Sequence, residues 1–217
     1  MSGRPSPEDA EDRSRTARKR EAILAAAQQL FLANGFGPTS MDQVAAAAAV
    51  SKQTIYKHFI DKETLLREVV MNVLQVRDGG IPATLVTEGE GSIEERLRSF
   101  ARNFLNGVMQ AHVLKLRRLV IAEAARFPEL GRAFYDLGHR RAVEQLSAAF
   151  HEAANLHAVP MRDPELAAEH FLSLILSTPL DQSMLLGDDI RFTRSALERN
   201  ADEGVAAFLR AYGFPQG

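Results

Sequence analysis

Apolar residues recur three and four apart along most of this chain, and the alternation that marks a β-strand is absent, so the pattern predicts an all-α protein. The first helix carries Ile23, Leu24, Ala27, Leu30 and Phe31 and stops at Asn34-Gly35, where glycine can take the left-handed closing conformation. Phe36 and Pro38 lead to Thr39-x-x-Asp42, a capping-box-like start for a compact alanine-rich helix containing Val44. A turn around Ala48 to Ser51 follows, with Ser51 as the N-cap of a short second helix. On that helix Ile55 and Phe59 are four apart on one face. At about 100° per residue, Gln53 and Lys57 point nearly opposite them, flanked by Thr54 and Tyr56. Asp61 then caps a longer helix whose stripe of Leu65, Leu66, Val69, Val70, Val73 and Leu74 is core.

Asp78-Gly79-Gly80, Pro82, Gly89 and Gly91 interrupt the periodicity and mark a domain boundary. The expected organisation is a disordered lead over 1–12, a helix-turn-helix domain over 13–77, a linker over 78–91 and a larger helical domain over 92–217. In the last, helices are predicted over 92–110, 113–127, 129 to about 156, 165–186 and about 190–212. Pro164 suits a first helical position. Pro179 is expected to kink or end the helix that holds it.

Composition narrows the function classes. With 46% hydrophobic and 25% charged residues, the 217-residue chain reads as an ordinary soluble, cytoplasmic protein. It has no cysteine, which excludes disulfides and thiolate chemistry. The start, MSGRPSPEDAEDRSR, lacks the apolar run of a signal peptide, and no stretch approaches the roughly 18 apolar residues of a membrane span. Net charge is −2, but its distribution is uneven. From Arg13 to Ile60 seven Arg and Lys face two carboxylates, a local balance of +5 that leaves −7 for the rest. A basic head on an acidic body fits contact with phosphates at one end. The arginines before residue 20 read equally as a phosphate-contacting arm or a solvated tail.

Enzyme signatures are missing. His151-Glu152-Ala153-Ala154-Asn155 falls one histidine short of the zinc-binding HExxH, and GxSxG, GxxxxGK[ST] and GxGxxG do not occur. The six histidines (58, 112, 139, 151, 157 and 170) show no other ligand spacing, so no metal and no cofactor is expected.

Residues 17 to 77 resemble the DNA-binding domain of the tetracycline-repressor (TetR) family of bacterial transcription regulators. The resemblance rests on Phe31-x-x-Asn34-Gly35-Phe36, then Thr39 to Ala45, then Val50 to Phe59, then Asp61-Lys62-Glu63-x-Leu65-Leu66, in order and without a gap. It implies that Thr39 and Ser40 offer hydroxyl and N–H groups to phosphate, and that Gln53, Thr54 and Lys57 reach base edges. It also implies that Tyr56, His58 and Lys62 touch the DNA backbone, with Ser51 and Lys52 at the margin of the same surface. The segment Arg118 to Leu130 is similar to the AefR-like subgroup, which implies a ligand-binding domain and a homodimer built from helices 165–186 and 190–212. Phe100, Phe104, Met109, Leu116, Phe134 and Met184 are candidate pocket residues, although helically spaced aromatics and methionines also serve as packing. The expected function is a ligand-responsive regulator, most often a repressor, that binds a palindromic operator as a dimer. The alternative is an all-α scaffold that uses the same helix pair for protein contacts.

Overall fold

The structure, a computed structural model, describes residues 7–75 and 91–214. Among them are ten α-helices and no strand. In the N-terminal part these are α1 (Pro7–Asn34), α2 (Met41–Ala47), α3 (Lys52–His58) and α4 (Lys62–Gln75). They are followed by α5 (Ile93–Val108), α6 (Ala111–Glu123), α7 (Pro128–Tyr135), α8 (Arg141–Leu156), α9 (Pro164–Leu186) and α10 (Arg194–Tyr212). The predicted linker over 78–91 lies outside the described residues except for Gly91. No described helix is long and apolar enough to cross a membrane.

The chain divides into two compact units. The first contains α1 to α4 together with Leu119–Phe134, which is the end of α6 and nearly all of α7, and the second contains α5, the start of α6, α8, α9 and α10. The segment Leu119–Phe134 is therefore sequence-distant from the head yet packs as part of it, and Phe134 lies there rather than among the body residues with which it was grouped.

In the head, the apolar stripe of α1 (Ile23, Leu24, Ala27, Phe31) meets Leu65, Leu66, Val69 and Val70 of α4, and all are buried. Met41, Val44 and Ala45 of α2 and Ile55 of α3 are buried as well, so each short helix is anchored by its apolar face. Phe36 packs against Phe31 at 5.7 Å between ring centroids and edge-on against Phe127 at 5.4 Å. Helix α1 begins at Pro7, earlier than the disordered lead to residue 12 would allow. Proline suits a first helical position, where its missing N–H is no loss.

In the body, α5, α8, α9 and α10 enclose one core in which Phe150, Phe171 and Phe208 are fully buried. Phe208 stacks on Phe150 at 4.8 Å and meets Phe171 edge-on at 5.1 Å. Each such ring contributes about 1.5–3 kcal/mol by leaving water, so the trio is the centre of the body's stability. Arg102 makes a two-pronged contact with Asp202 at 2.7 and 2.6 Å, tying α5 to α10. The long helical pattern from residue 129 to 156 contains a π-helical turn, Asp136–Arg140, between α7 and α8. Helix α9 does not end at Pro179 but runs through it to Leu186. The last helix starts at Arg194 rather than near Ile190, because Thr193 caps it by accepting from the Ala196 N–H at 3.2 Å.

Candidate nucleic-acid interface

Local hydrogen bonding sets the helix pair. Ser40 is the N-cap of α2. Its hydroxyl accepts from the Gln43 N–H at 3.2 Å, and the Gln43 amide oxygen accepts from the Ser40 N–H at 2.8 Å. The reciprocal box is thus Ser40/Gln43, one residue later than the expected Thr39/Asp42. Thr39 is only 1% exposed, and its hydroxyl donates to the Gly35 carbonyl at 2.8 Å. This corrects the expectation that its hydroxyl is open to phosphate: the group is buried and closes the turn after α1.

Helix α2 ends in a Schellman arrangement. The Val50 N–H reaches the Ala45 carbonyl at 3.0 Å, and the Ala49 N–H reaches Ala46 at 3.2 Å. Ala49 carries the left-handed φ of 53° that this closure demands. Ser51 then caps α3, accepting from the Thr54 N–H at 3.1 Å with the Thr54 hydroxyl 2.8 Å away. Asp61 likewise caps α4 through the Thr64 N–H at 2.7 Å, and that bond holds its carboxyl below the usual range.

The two faces of α3 are distinct. Ile55 and Phe59 are buried, whereas Gln53 and Lys57 are exposed and Tyr56 is 45% exposed. Thr54 and His58 are half-buried at the flanks. Lys52 is exposed but ion-paired with Asp42 at 3.0 Å, a link between α2 and α3, and that hydrogen bond raises its pKa. Partial burial, then the charges of Lys57, Arg20 and Lys19, push the His58 imidazole below its ordinary value. Of these nearby cations, Arg20 is itself matched by an anion, Glu68.

Two basic residues serve the fold instead. Lys62 was expected at the DNA backbone, but its ammonium donates to the carbonyls of Phe36 (2.8 Å), Gly37 (3.0 Å) and Thr39 (2.8 Å). It also lies 4.4 Å from the centroid of the Phe36 ring. Those three bonds use all three of its protons and turn the ammonium onto the turn after α1. Arg20, from the basic run before α1's apolar stripe, pairs with Glu68 of α4 at 2.6 Å and sits 5.7 Å from the Phe59 ring. Asp42, Gln43 and Arg20 therefore act at this site in ways the sequence reading missed. Ser40-x-x-Gln43 was itself a capping-box pattern and could have located the true helix start.

Among the candidate pocket residues, Phe100 stacks on Phe104 at 5.4 Å and on Phe171 at 6.2 Å. Leu116 is buried, Met109 is partly buried against the body core, and Met184 is half-buried.

Comparison with known proteins follows the same division. Residues 23–69 match the domain described as bacterial regulatory proteins, tetR family, and residues 95–214 match the AefR-like transcriptional repressor C-terminal domain. A solved TetR-family transcriptional regulator from Mesorhizobium loti is 39% identical, with a TM-score of 0.82 over 91% of this chain and 98% of its own. The chain belongs to the TetR family. As a TetR-family member it is a transcriptional regulator and not an enzyme. The flavonoid-responsive regulator FrrA is 34% identical, with a TM-score of 0.72 over 90% of this chain and 97% of its own. The curated relative UidR of Escherichia coli is 40% identical over 52 residues, so the match spans 24% of this chain and only 26% of that relative.

Proposed function

We propose that this TetR-family chain is a homodimeric, effector-responsive repressor that acts in the cytoplasm on a palindromic operator. The observation that carries the reading is the two-faced α3, with Ile55 and Phe59 buried and Gln53, Tyr56 and Lys57 in solvent. A helix so anchored can enter a major groove, and two copies would read half-sites about 34–36 Å apart. Gln53, Thr54 and Lys57 then meet base edges. Ser40, Ser51, Lys52, Tyr56 and His58 contribute to the surrounding backbone surface.

Dimerisation through α9 and α10 is supported by the outward face of α9, where Leu166, Leu174 and Leu185 are exposed at 48%, 42% and 84%. Their spacing of 8 and 11 residues places them on one side of the helix, a stripe that a second copy would cover. The effector site belongs to the body, with Phe100, Phe104, Met109, Leu116 and Met184 as its wall candidates. Their aromatic and thioether surface favours an apolar, planar ligand, in keeping with the name of FrrA. Effector binding would shift the population between two spacings of the reading heads, for which a coupling of about 1–3 kcal/mol suffices.

Mobility-shift titration with promoter DNA adjoining the chain's own gene tests the reading. Tyr56→Ala and Lys57→Ala are each expected to weaken binding while the dimer persists in size-exclusion chromatography. Unchanged affinity in both variants would remove α3 from the interface, and wild-type affinity without salt dependence would favour a protein-binding scaffold.

A further inference from the structure

We infer that Lys62 is a positioning residue for DNA reading and makes no phosphate contact of its own. This inference rests on the DNA-binding reading above. The ammonium has three protons, and three carbonyls of one turn, those of Phe36, Gly37 and Thr39, accept them at 2.8, 3.0 and 2.8 Å. The Phe36 ring, 4.4 Å away, presents a π-face to the same charge. A phosphate could recruit this cation only by breaking those bonds and exposing the carbonyls.

The turn so gripped is the one that launches the helix pair. Thr39 closes it from within by donating to Gly35, and Ser40 caps α2 immediately afterwards. Helix α2 is in turn joined to α3 by the Asp42–Lys52 pair at 3.0 Å. Lys62 stands on α4, whose Leu65, Leu66 and Val69 are buried in the head core. The lysine therefore references the α2–α3 pair to a helix seated in the head core. Its charge works on backbone dipoles, and its effect reaches DNA through the placement of α3.

Salt dependence separates this role from a direct contact. Each phosphate contact adds about 0.9 to the slope of log affinity against log salt concentration. Lys62→Met, compared with wild type and with Lys57→Ala, is titrated with operator DNA at four salt concentrations, at a temperature where circular dichroism shows all three folded. The expected result is about a tenfold loss of affinity at every salt concentration with the slope unchanged, the size of effect that a lost charge-assisted hydrogen-bond set carries. A slope lowered by about 0.9 per protomer overturns the inference in favour of phosphate contact. Full affinity in the folded variant overturns it in favour of a purely structural lysine. If wild type binds no DNA, the DNA-binding reading fails by itself. Amide exchange of the free protein then decides the remainder: faster exchange confined to residues 35–58 in Lys62→Met upholds the grip on the helix pair, and an unchanged pattern rejects it.

Discussion

Asn200 of α10 donates from its side-chain amide to the carbonyl of Ile175 in α9 at 2.8 Å. That carbonyl is the one Pro179, four residues on and lacking an N–H, cannot satisfy. A long helix with an internal proline thus stays continuous because a neighbouring helix supplies the missing donor. Asn200→Ala is expected to destabilise the protein by about 1–3 kcal/mol, the cost of a part-buried carbonyl left without a partner. In a Pro179→Ala background the restored backbone N–H takes the carbonyl, and the same substitution should cost measurably less. Urea denaturation of the four proteins gives the coupling, and additive effects would rule out the substitution of one donor for the other.

Gly204 lies at the same crossing. A Cβ there would stand 2.8 Å from Ile175 Cγ2 and 3.1 Å from the Leu174 carbonyl oxygen. Gly204→Ala gains about 1 kcal/mol of helix propensity, against about 1–3 kcal/mol for overpacking a closed contact. One obstacle is backbone, and α9 is fixed to α10 by Asn200, so overpacking should win. A lower melting temperature for Gly204→Ala is expected, and a rise would show that α10 can retreat without loss.

Ala49 presents the opposite case. It holds φ of 53° at the close of α2, where glycine would sit without strain. Relief of left-handed strain is worth about 1–2 kcal/mol, and the greater freedom of glycine in the unfolded chain returns about 0.4–1 kcal/mol of it. Ala49→Gly is expected to stabilise the head by about 0.5–1 kcal/mol with operator affinity retained. Calorimetry of the variant checks the gain.

The helices, the head core and the faces of α3 were legible because periodicity and caps are local signals: Ile55, Phe59, Ser51 and Asp61 all lie where their spacing implied. What escaped was non-local. Lys62 is separated by 26 residues from its partner Phe36, and Arg20 by 48 from Glu68. From sequence alone, a lysine that grips carbonyls and one that grips phosphates are the same exposed cation on a helix start. The donor that replaces the missing N–H at Pro179 was hidden for the same reason, since Asn200 belongs to another helix. The frame of the α2 cap is different. Thr39 and Ser40 both fit an N-cap, and the glutamine three residues after Ser40, together with the burial of Thr39, decides between them.

His58 gives the head a pH dependence whose sign follows from its surroundings. Partial burial and the cations Lys57, Arg20 and Lys19 lower its pKa below the ordinary value of 6.5. The unfolded chain therefore takes up this proton at a higher pH than the folded one, and folding stability falls with acidification. The contribution is complete above the unfolded pKa and is lost as pH drops below 6.5 toward the lower folded value. His58→Gln removes the titration and should flatten the stability–pH curve of the head between about pH 7 and pH 5 relative to wild type. With His58 at the DNA backbone as proposed, the direction reverses on DNA, because a phosphate favours the imidazolium. Operator binding by wild type is then expected to strengthen on mild acidification, accompanied by proton uptake, and that increment should vanish in His58→Gln. Titration calorimetry in buffers of different ionisation enthalpy reads the uptake directly, and equal proton counts for the two proteins would detach His58 from the phosphate surface.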